Sequence, residues 1–201
     1  TGLRQIELTA ELHIMGSNGG VATVKMVAER PVLTLLSGPA AGVLGGGWAA
    51  AKSGRSRLIT FDVGGTSADI GIVIDGRFGE ATARDTWIGG YPVLVPMIDI
   101  NTIGAGGGSI AKVGKMGTLK VGPESAGADP GPICYGRGGT APGVTDADLL
   151  LGYLDENYFL GGEMKLDKEA ARKGVEKRIA EPLGVPFIQA VWGVHDLINE
   201  T

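Results

Sequence analysis

The sequence contains one cysteine, two histidines and few aromatic residues, which make up 5% of its 201 positions. A lone cysteine, Cys134, excludes a disulfide within the chain, and two distant histidines provide no Cys/His cluster at zinc spacing. No apolar run approaches the roughly 18 residues of a membrane span, and the first residues lack the order of a signal peptide. We therefore expect an untargeted protein of the reducing cytoplasm, with no membrane partner.

Charge of either sign is also moderate. The 18 Lys and Arg residues are scattered, and 22 Asp and Glu residues give a formal net charge of -4. A nucleic-acid-binding surface normally requires clustered basic residues, so we expect no nucleic-acid partner. With 43% hydrophobic residues, the chain has enough apolar mass to form a globular core.

Glycine is the residue type in clear excess, with 36 in the chain against a usual share of about 7%. Ten of them lie in four short clusters between apolar segments, namely Gly45 to Gly47, Gly64-Gly65, Gly89-Gly90 and Gly106 to Gly108. Such clusters mark turns or places where the backbone closely approaches another group.

The hydrophobic pattern predicts an α/β fold. Strands are predicted by short apolar runs between turn residues, at 11–15, 32–36, 58–63, 68–74 and 77–84. Hairpin turns are predicted at Asp75-Gly76 and about Lys115-Met116-Gly117. We interpret residues 58–84 as the meander of a mixed sheet flanked by helices, and about 89–144 as a glycine-rich inserted region.

Helices are predicted where capping residues precede apolar residues at helical spacing. They begin at Ser37-Gly38-Pro39, at a Thr145 cap, at an Asp167 cap and near Phe187. The first should run to Lys52 and end at Gly54. The third should bury Ala171, Val175 and Ile179 on one face and end at Pro182 and Gly184.

One segment combines the groups that bind phosphate, Asp62-Val63-Gly64-Gly65-Thr66-Ser67-Ala68-Asp69. Exposed amides and hydroxyls donate to phosphate oxygens, and a carboxylate holds a magnesium ion or its waters. The candidate cofactor contacts in this segment are Asp62, Gly64, Gly65, Thr66, Ser67 and Asp69. The alternative is a plain hairpin whose aspartates accept from turn amides.

A second glycine run, from Thr102 to Lys112, fits neither standard nucleotide loop. A P-loop needs Gly-Lys-Ser/Thr together, and the dinucleotide pattern needs glycine where Ser109 stands. The candidate cofactor contacts in this run are Gly106, Gly107, Gly108 and Ser109. The alternative is a flexible turn into the following hairpin. The Pro/Gly-rich segment between Gly122 and Gly143 is long for an idle connection, so we expect a functional loop.

Oxygen ligands for a hard cation are available at several predicted loops and caps. The candidate metal ligands are Asp62, Asp99 and Asp146. Turn and cap roles are the alternative for such aspartates. Cys134 has Arg137 nearby, which favours a reactive thiolate, yet burial as a small hydrophobe is the preferred interpretation because no histidine is close in sequence. His13 and His195 are expected to be satisfied core residues.

Several motifs together resemble the hydantoinase A/5-oxoprolinase family in order and spacing. They are residues 36–42, 61–69, 88–92, 102–109, 121–132 and 145–147. This resemblance covers nearly the whole chain and implies an actin-like ATPase (ribonuclease H-like) half-fold. Family members have two such halves, each with an Asp-x-Gly-Gly-Thr turn, and one turn is present here. We interpret residues 1–201 as a fragment of the catalytic domain.

The resemblance also implies a reaction. The chain resembles ATP- and Mg²⁺-dependent hydrolases that open hydantoin, N-methylhydantoin or 5-oxoproline through carbonyl phosphorylation. The resemblance also implies a hydantoinase B-type subunit or domain as partner. The isolated fragment is expected to be inactive, with catalytic residues unidentified, and its exposed apolar surface would permit oligomers. Two alternatives remain open: a subunit of an acetone-type carboxylase using ATP, and a non-catalytic actin-like nucleotide switch.

Overall fold

The structure is a computed structural model that describes residues 2–81, 86–88 and 90–201. The chain divides into two compact units. The first consists of Thr1–Asp62 and Asp69–Asn101, and the second of Val63–Ala68 and Thr102–Thr201. Both contain helices and strands, which agrees with the predicted α/β class. The region of about 89–144, predicted as an insertion, contributes to both units.

The first unit is built on a small sheet covered by one long helix. Its helices are α1 (Gly2–Gln5), α2 (Val24–Glu29) and α3 (Ser37–Lys52). The strands up to the unit boundary are β1 (His13–Met15), β2 (Val21–Thr23), β3 (Arg57–Val63), β4 (Ala68–Ile74), β5 (Arg77–Phe78), β6 (Glu80–Ala81), β7 (Trp87–Ile88), β8 (Tyr91–Pro92), β9 (Met97–Ile98) and β10 (Ile100–Ile103). The sheet has the order β10-β4-β3, with β5 paired to β4, and the remaining strands form the pairs β1-β2, β6-β9 and β7-β8.

The predicted meander is confirmed in its first two strands. Strand β3 begins one residue before the predicted 58–63, and β4 matches the predicted 68–74. Asp75 and Gly76 have positive φ values of 52° and 74°, which a tight two-residue hairpin requires. The predicted third strand is divided into β5 and β6, and its residues 82–84 lie outside the part of the chain that the structure describes.

Helix α3 has the predicted bounds, and its glycines allow it to lie close to the sheet. A Cβ atom built on Gly46 would be 2.7 Å from Thr60 Cγ2, so any larger residue would push the helix and sheet apart. The buried cluster joins Ala40 and Val43 of the helix to Val73 of β4 and Ile98 of β9. Close packing therefore explains a glycine that otherwise weakens a helix.

The strand predicted at 32–36 is wrong. Residues Pro31–Thr34 form a 3-10 turn, in which the Thr34 hydroxyl donates to Pro31 O at 2.8 Å. Leu36 then adopts a left-handed conformation with φ of 55° directly before α3. Proline fixes a φ that suits the first position of a helical turn, and this local preference prevails over the apolar run.

The second unit contains one hairpin and most of the helices. Its remaining strands are β11 (Ser109–Val113) and β12 (Leu119–Ser125), paired antiparallel as predicted. Its helices are α4 (Val144–Leu151), α5 (Lys168–Val175), α6 (Glu181–Leu183) and α7 (Phe187–Asn199). A π-helical stretch, Glu176–Ala180, joins α5 to α6, and 3-10 turns occur at Ile133–Tyr135 and Leu160–Gly162.

The helix predicted from Asp167 is confirmed at its start and on its buried face. Asp167 Oδ1 accepts from Ala170 N at 2.8 Å, and Ala171, Val175 and Ile179 are completely buried. Pro182 does not end the helix as predicted. It lies in the first turn of α6, where no N–H is needed, and Gly184 ends the segment in a left-handed conformation.

The core of the second unit consists of two buried clusters. The first comprises Ala111, Val144, Ala147, Val175, Ile179, Ala180, Ala190, Val191 and Val194. The second comprises Cys134, Leu149, Leu166 and Ala171. Across the described ranges, no helix combines the length and hydrophobicity required to cross a bilayer.

Candidate phosphate-binding site

The turn between β3 and β4 presents its backbone to solvent. Gly64 N donates to Ser67 O at 2.9 Å, which closes the hairpin and leaves Gly65 and Thr66 at its tip. Gly64, Gly65 and Thr66 are exposed. These residues belong to the second unit, so the turn and its supports within that unit can be described together.

The glycine run after β10 packs directly against this turn. Gly107 N donates to Gly64 O at 3.1 Å, and Gly108 N donates to Gly65 O at 2.6 Å. A Cβ atom on Gly106 would lie 2.6 Å from Gly64 O, closer than real Cβ contacts occur. The two segments therefore touch through main-chain atoms, and the contact requires glycine.

These hydrogen bonds determine where the turn amides point. In a trans peptide the C=O and the following N–H point in opposite directions. Because the Gly64 and Gly65 carbonyls face the glycine run, the N–H groups of Gly65 and Thr66 face away from it. Neither N–H donates to an acceptor among residues 2–81, 86–88 and 90–201. Two adjacent exposed amides of this kind form a site suited to an anion.

Ser125, at the end of β12, braces the turn from a second direction. Its Oγ donates to Gly65 O at 3.2 Å and accepts from Thr66 Oγ1 at 3.2 Å and from Gly127 N at 3.1 Å. Since Ser125 gives its only proton to Gly65 O, the Thr66 proton is directed to Ser125. The lone pairs of Thr66 Oγ1 are then available to a cation or to a water. The hydroxyl could donate to a phosphate oxygen only after its proton rotates away from Ser125.

The amides of the glycine run are themselves occupied. Gly106 N donates to Ser109 Oγ at 3.0 Å, and Ser109 N donates to Gly106 O at 3.0 Å. Together with the bonds from Gly107 and Gly108, every amide from 106 to 109 has a protein acceptor. The structure brings this run to the predicted turn, where it supports the turn backbone. Direct contact of the run with a cofactor stays a prediction.

Asp62 and Asp69, the ends of the predicted motif, belong to the first unit. Both line an open cavity of about 360 Å³ beside Pro39 and Gly42 of α3. Asp99 lies elsewhere in that unit, in a cavity of about 520 Å³ that Ile72 also lines. Within the described part of the chain, no group of three or more His, Cys, Asp or Glu side chains is arranged to hold a metal ion. The metal prediction for Asp62 and Asp99 stays a prediction.

Asp146 has a different surrounding from that expected of a metal ligand. It is fully buried; Oδ1 accepts from Cys134 N at 2.8 Å, and Oδ2 accepts from Gly143 N at 2.9 Å and Ile133 N at 3.2 Å. Burial raises the pKa of this carboxyl above its ordinary value, while the backbone donors act in the opposite direction. Both oxygens are engaged by the protein, so the geometry gives Asp146 a structural role in joining α4 to the Pro/Gly-rich segment.

The predicted Thr145 cap is wrong. Helix α4 begins at Val144 and its N-cap is Gly143. The Gly143 N–H donates to the carboxylate of Asp146, which is the third residue of the helix. Thr145 with an acidic residue three positions later resembled a capping pair. The carboxylate that binds the N-cap amide is Asp146, so the helix begins before Thr145. Thr145 instead donates twice to Gly107 O, from its amide at 2.8 Å and from its hydroxyl at 2.7 Å.

The other candidate reactive side chains are Cys134 and the two histidines. Cys134 is completely buried, and burial, with the Asp146 charge beside it, raises the pKa of its thiol far above the ordinary value. His195 Nδ1 lies 2.8 Å from Asp148 Oδ1, so this histidine has a hydrogen-bond partner as expected, although it is part-buried and not in the core. His13 is exposed on a short ribbon, so its predicted core position is wrong.

Two supports of the turn were missed in the sequence, Ser125 and Thr145. Ser125 lies within the long Pro/Gly-rich segment that predicted a functional loop and within the family motif at 121–132, but neither pointed to a contact with the turn. Thr145 was predicted as a helix cap and belongs to the family motif at 145–147. Neither residue carries a local pattern that indicates a partner about 60 or 40 positions away, as found for Gly65 and Gly107.

The sheet, its helices and the turn define an α/β fold of the actin-like ATPase type. Acetone carboxylase, in its nucleotide-free structure, superposes with a TM-score of 0.87 at 28% identity, covering 99% of this chain and 28% of that chain. The sequence profile of the hydantoinase/oxoprolinase family matches residues 1–201, and the chain belongs to this family. The resemblance stated from the motifs is therefore confirmed.

Two curated relatives show how wide the family is. The caprolactamase subunit alpha of Pseudomonas jessenii is 46% identical over 183 residues, covering 91% of this chain and 26% of the relative. The acetophenone carboxylase gamma subunit of Aromatoleum aromaticum is 42% identical over 195 residues, covering 95% of this chain and 26% of the relative. The chain thus spans about a quarter of the length of these relatives.

Proposed function

We propose that this chain carries a nucleotide-phosphate site of an ATP-dependent enzyme that opens cyclic amides such as hydantoin, N-methylhydantoin or 5-oxoproline. The observation that carries the proposal is the pair of exposed amides at Gly65 and Thr66, held outward because the carbonyls before them are bonded to the glycine run. The similarity to a caprolactamase supports the substrate class, because a lactam is a cyclic amide.

The chemistry follows from what this turn can hold. Amides at Gly65 and Thr66 would donate to phosphate oxygens, with Gly64, Ser67 and the glycine run maintaining the backbone. Asp62, and Asp69 on the other strand, would bind Mg²⁺ or its waters. Transfer of the terminal phosphoryl group to the amide carbonyl oxygen would convert a stable group into one that water can open.

The proposal includes a partner and a location. Both curated relatives are named as subunits, which supports a second subunit or domain of the hydantoinase B type. A cytoplasmic location is proposed because the chain has a single cysteine, and that cysteine is buried. The 201-residue polypeptide alone is expected to be catalytically inactive, because it spans about a quarter of its relatives.

One alternative function has specific support. The acetophenone carboxylase subunit is 42% identical to this chain, nearly as similar as the caprolactamase subunit at 46%. An ATP-dependent carboxylase would use the same phosphate site to activate a ketone enolate instead of an amide. The phosphate turn serves both reactions, so the substrate must be tested directly.

The test uses the full-length parent protein and its partner subunit. Calorimetric titration with Mg-ATP should show binding by the wild type. Asp62→Asn and Gly108→Ala should each weaken it at least about tenfold, since the first removes a cation ligand and the second displaces the turn. Gly45→Ala is the matched control, because a Cβ there meets nothing within 4 Å.

Phosphate release then separates the substrates. Stimulation by hydantoin, 5-oxoproline or caprolactam supports the hydrolase. Stimulation by acetone or acetophenone with bicarbonate, and not by cyclic amides, supports the carboxylase. A wild-type parent that binds no nucleotide would contradict the proposed site itself.

A further inference from the structure

Thr145 makes an unusual double contact with the glycine run. Its backbone N–H and its hydroxyl both donate to the carbonyl of Gly107, at 2.8 and 2.7 Å. Its residue is 6% exposed, so water competes little for these bonds. Two donors occupy both lone pairs of that carbonyl and hold it in one direction.

That direction is transmitted to the phosphate turn through peptide planes. The Gly107-Gly108 peptide is trans, because the cis bonds of the described ranges are at Gly122-Pro123 and Asp129-Pro130. With the Gly107 carbonyl held toward Thr145, the Gly108 N–H points the opposite way and donates to Gly65 O at 2.6 Å. The Gly65 carbonyl in turn directs the Thr66 N–H outward.

Thr145 is itself anchored by the start of α4. The neighbouring Asp146 is completely buried and accepts three backbone N–H groups from Gly143, Ile133 and Cys134. The next turn of the helix places Ala147 and Leu149 in the core with no exposed surface. Because α4 fixes Thr145 in place, a shift of the glycine run would break its hydrogen bonds to Gly107 O. These bonds therefore hold the run in position.

We propose that Thr145 is a positioning residue for the phosphate turn, acting through the Gly107 carbonyl and the Gly108 amide on the Thr66 N–H. This inference rests on the proposed function, because it assigns the turn a phosphate ligand. Thr145 contacts neither that ligand nor the reacting atoms. Its hydroxyl sets the direction of an amide two peptide planes away.

The test compares three substitutions in the full-length parent protein. Thr145→Val removes the hydroxyl but keeps the shape and the backbone N–H, whereas Thr145→Ser keeps the hydroxyl. Thr140→Val is the control, because Thr140 is exposed and has no side-chain hydrogen bond within the described ranges. The measured quantities are the Kd for Mg-ATP well below the thermal midpoint and the hydrogen exchange of residues 64–67.

We expect Thr145→Val to raise the Kd about three- to tenfold, the range that loss of one hydrogen bond produces. Exchange at residues 64–67 should increase with it, while exchange in α5 and α7 stays unchanged. Thr145→Ser should remain within about twofold of the wild type, and Thr140→Val should not differ from it. If the valine variant does not fold, Thr145→Ala at lower temperature takes its place.

The outcomes separate this inference from the proposed function. A wild-type parent that binds Mg-ATP, together with a Thr145→Val variant of the same Kd, would overturn the positioning role and leave the phosphate site intact. A wild-type parent that binds no nucleotide overturns the phosphate site first. A higher Kd accompanied by faster exchange throughout α5 and α7 assigns Thr145 a general folding role and also overturns the proposal.

Discussion

The two units of the chain bury their apolar side chains very differently. In the second unit, α4, α5 and α7 enclose two clusters whose members include the fully buried Leu149, Ile179 and Val191. In the first unit, α3 covers only one face of the sheet. On the other face, side chains that alternate with the buried ones remain more than half exposed, namely Ile59 (68%), Phe61 (62%), Ile72 (55%) and Ile74 (55%).

The difference shows why the phosphate turn is supported from the second unit. Residues 64–67 are hydrogen-bonded to the glycine run, to Ser125 and, through Gly107, to Thr145, all of which lie in the unit with the larger core. Buried area, more than the amount of helix or strand, determines how firmly a segment is held. The amides of the binding turn are therefore held by hydrogen bonds within the well-packed unit.

The largest predicted difference between the two units is the loss of stability caused by a cavity in the core of the second unit. Ile179→Ala should lower the local free energy of unfolding by about 2–5 kcal/mol, because the side chain is completely buried. Ile72→Ala, on the open face of the first unit, should change it by less than about 0.5 kcal/mol. Native-state hydrogen exchange of the parent protein measures both changes in unfolding free energy. Equal changes for the two variants would show that the two units do not differ in how they bury their apolar side chains.

A smaller effect is expected at the buried carboxylate. Asp146→Asn replaces one acceptor oxygen with an N–H₂ group that faces backbone donors, and each donor left unsatisfied costs about 1–3 kcal/mol. The loss should appear in exchange of residues 131–147, where Asp146 binds three amides. Asp155→Asn, in an exposed turn, is the matched control and should be nearly neutral. An unchanged Asp146→Asn protein would show that the buried carboxylate does not hold this segment.

The smallest effect concerns two neighbouring glycines of α3. Gly45→Ala should stabilise the first unit by up to about 1 kcal/mol, since alanine favours the helix and a Cβ there meets nothing within 4 Å. Gly46→Ala should give no such gain, because its Cβ would lie 2.7 Å from Thr60 Cγ2. Thermal unfolding of the two variants decides this, and an equal gain from both would show that the helix does not lie tightly on the sheet.

Local patterns predicted much of the fold. The strands at 58–63 and 68–74, the turn at Asp75-Gly76 and helix α3 follow from alternation, turn residues and an N-terminal proline, each of which acts within a few positions. The strand at 32–36 was wrong because Pro31 favours a helical turn over the apolar run that follows. At this segment, the helical-turn preference of proline opposed the strand preference of the apolar run. Residue types alone do not show which of the two is stronger.

The candidate site was predicted in part. The motif at 62–69 predicted the turn, because a glycine pair after an apolar strand favours a tight turn and leaves backbone amides open. What the turn rests on was not predictable, because Ser125 and Thr145 reach it from distant parts of the chain. For Asp146, the sequence showed a carboxylate beside a helix start, and only burial distinguishes a backbone acceptor from a metal ligand.

The contact between the glycine run and the turn has a consequence for how this site tolerates mutation. Because the contact joins main chain to main chain, it is indifferent to side-chain chemistry and sensitive to side-chain volume. A Cβ on Gly106 or Gly108 would lie 2.6 or 2.7 Å from a turn carbonyl, so polar, charged and apolar replacements should fail alike in a saturation library. The information that specifies this site is therefore the spacing of positions at which no side chain is permitted.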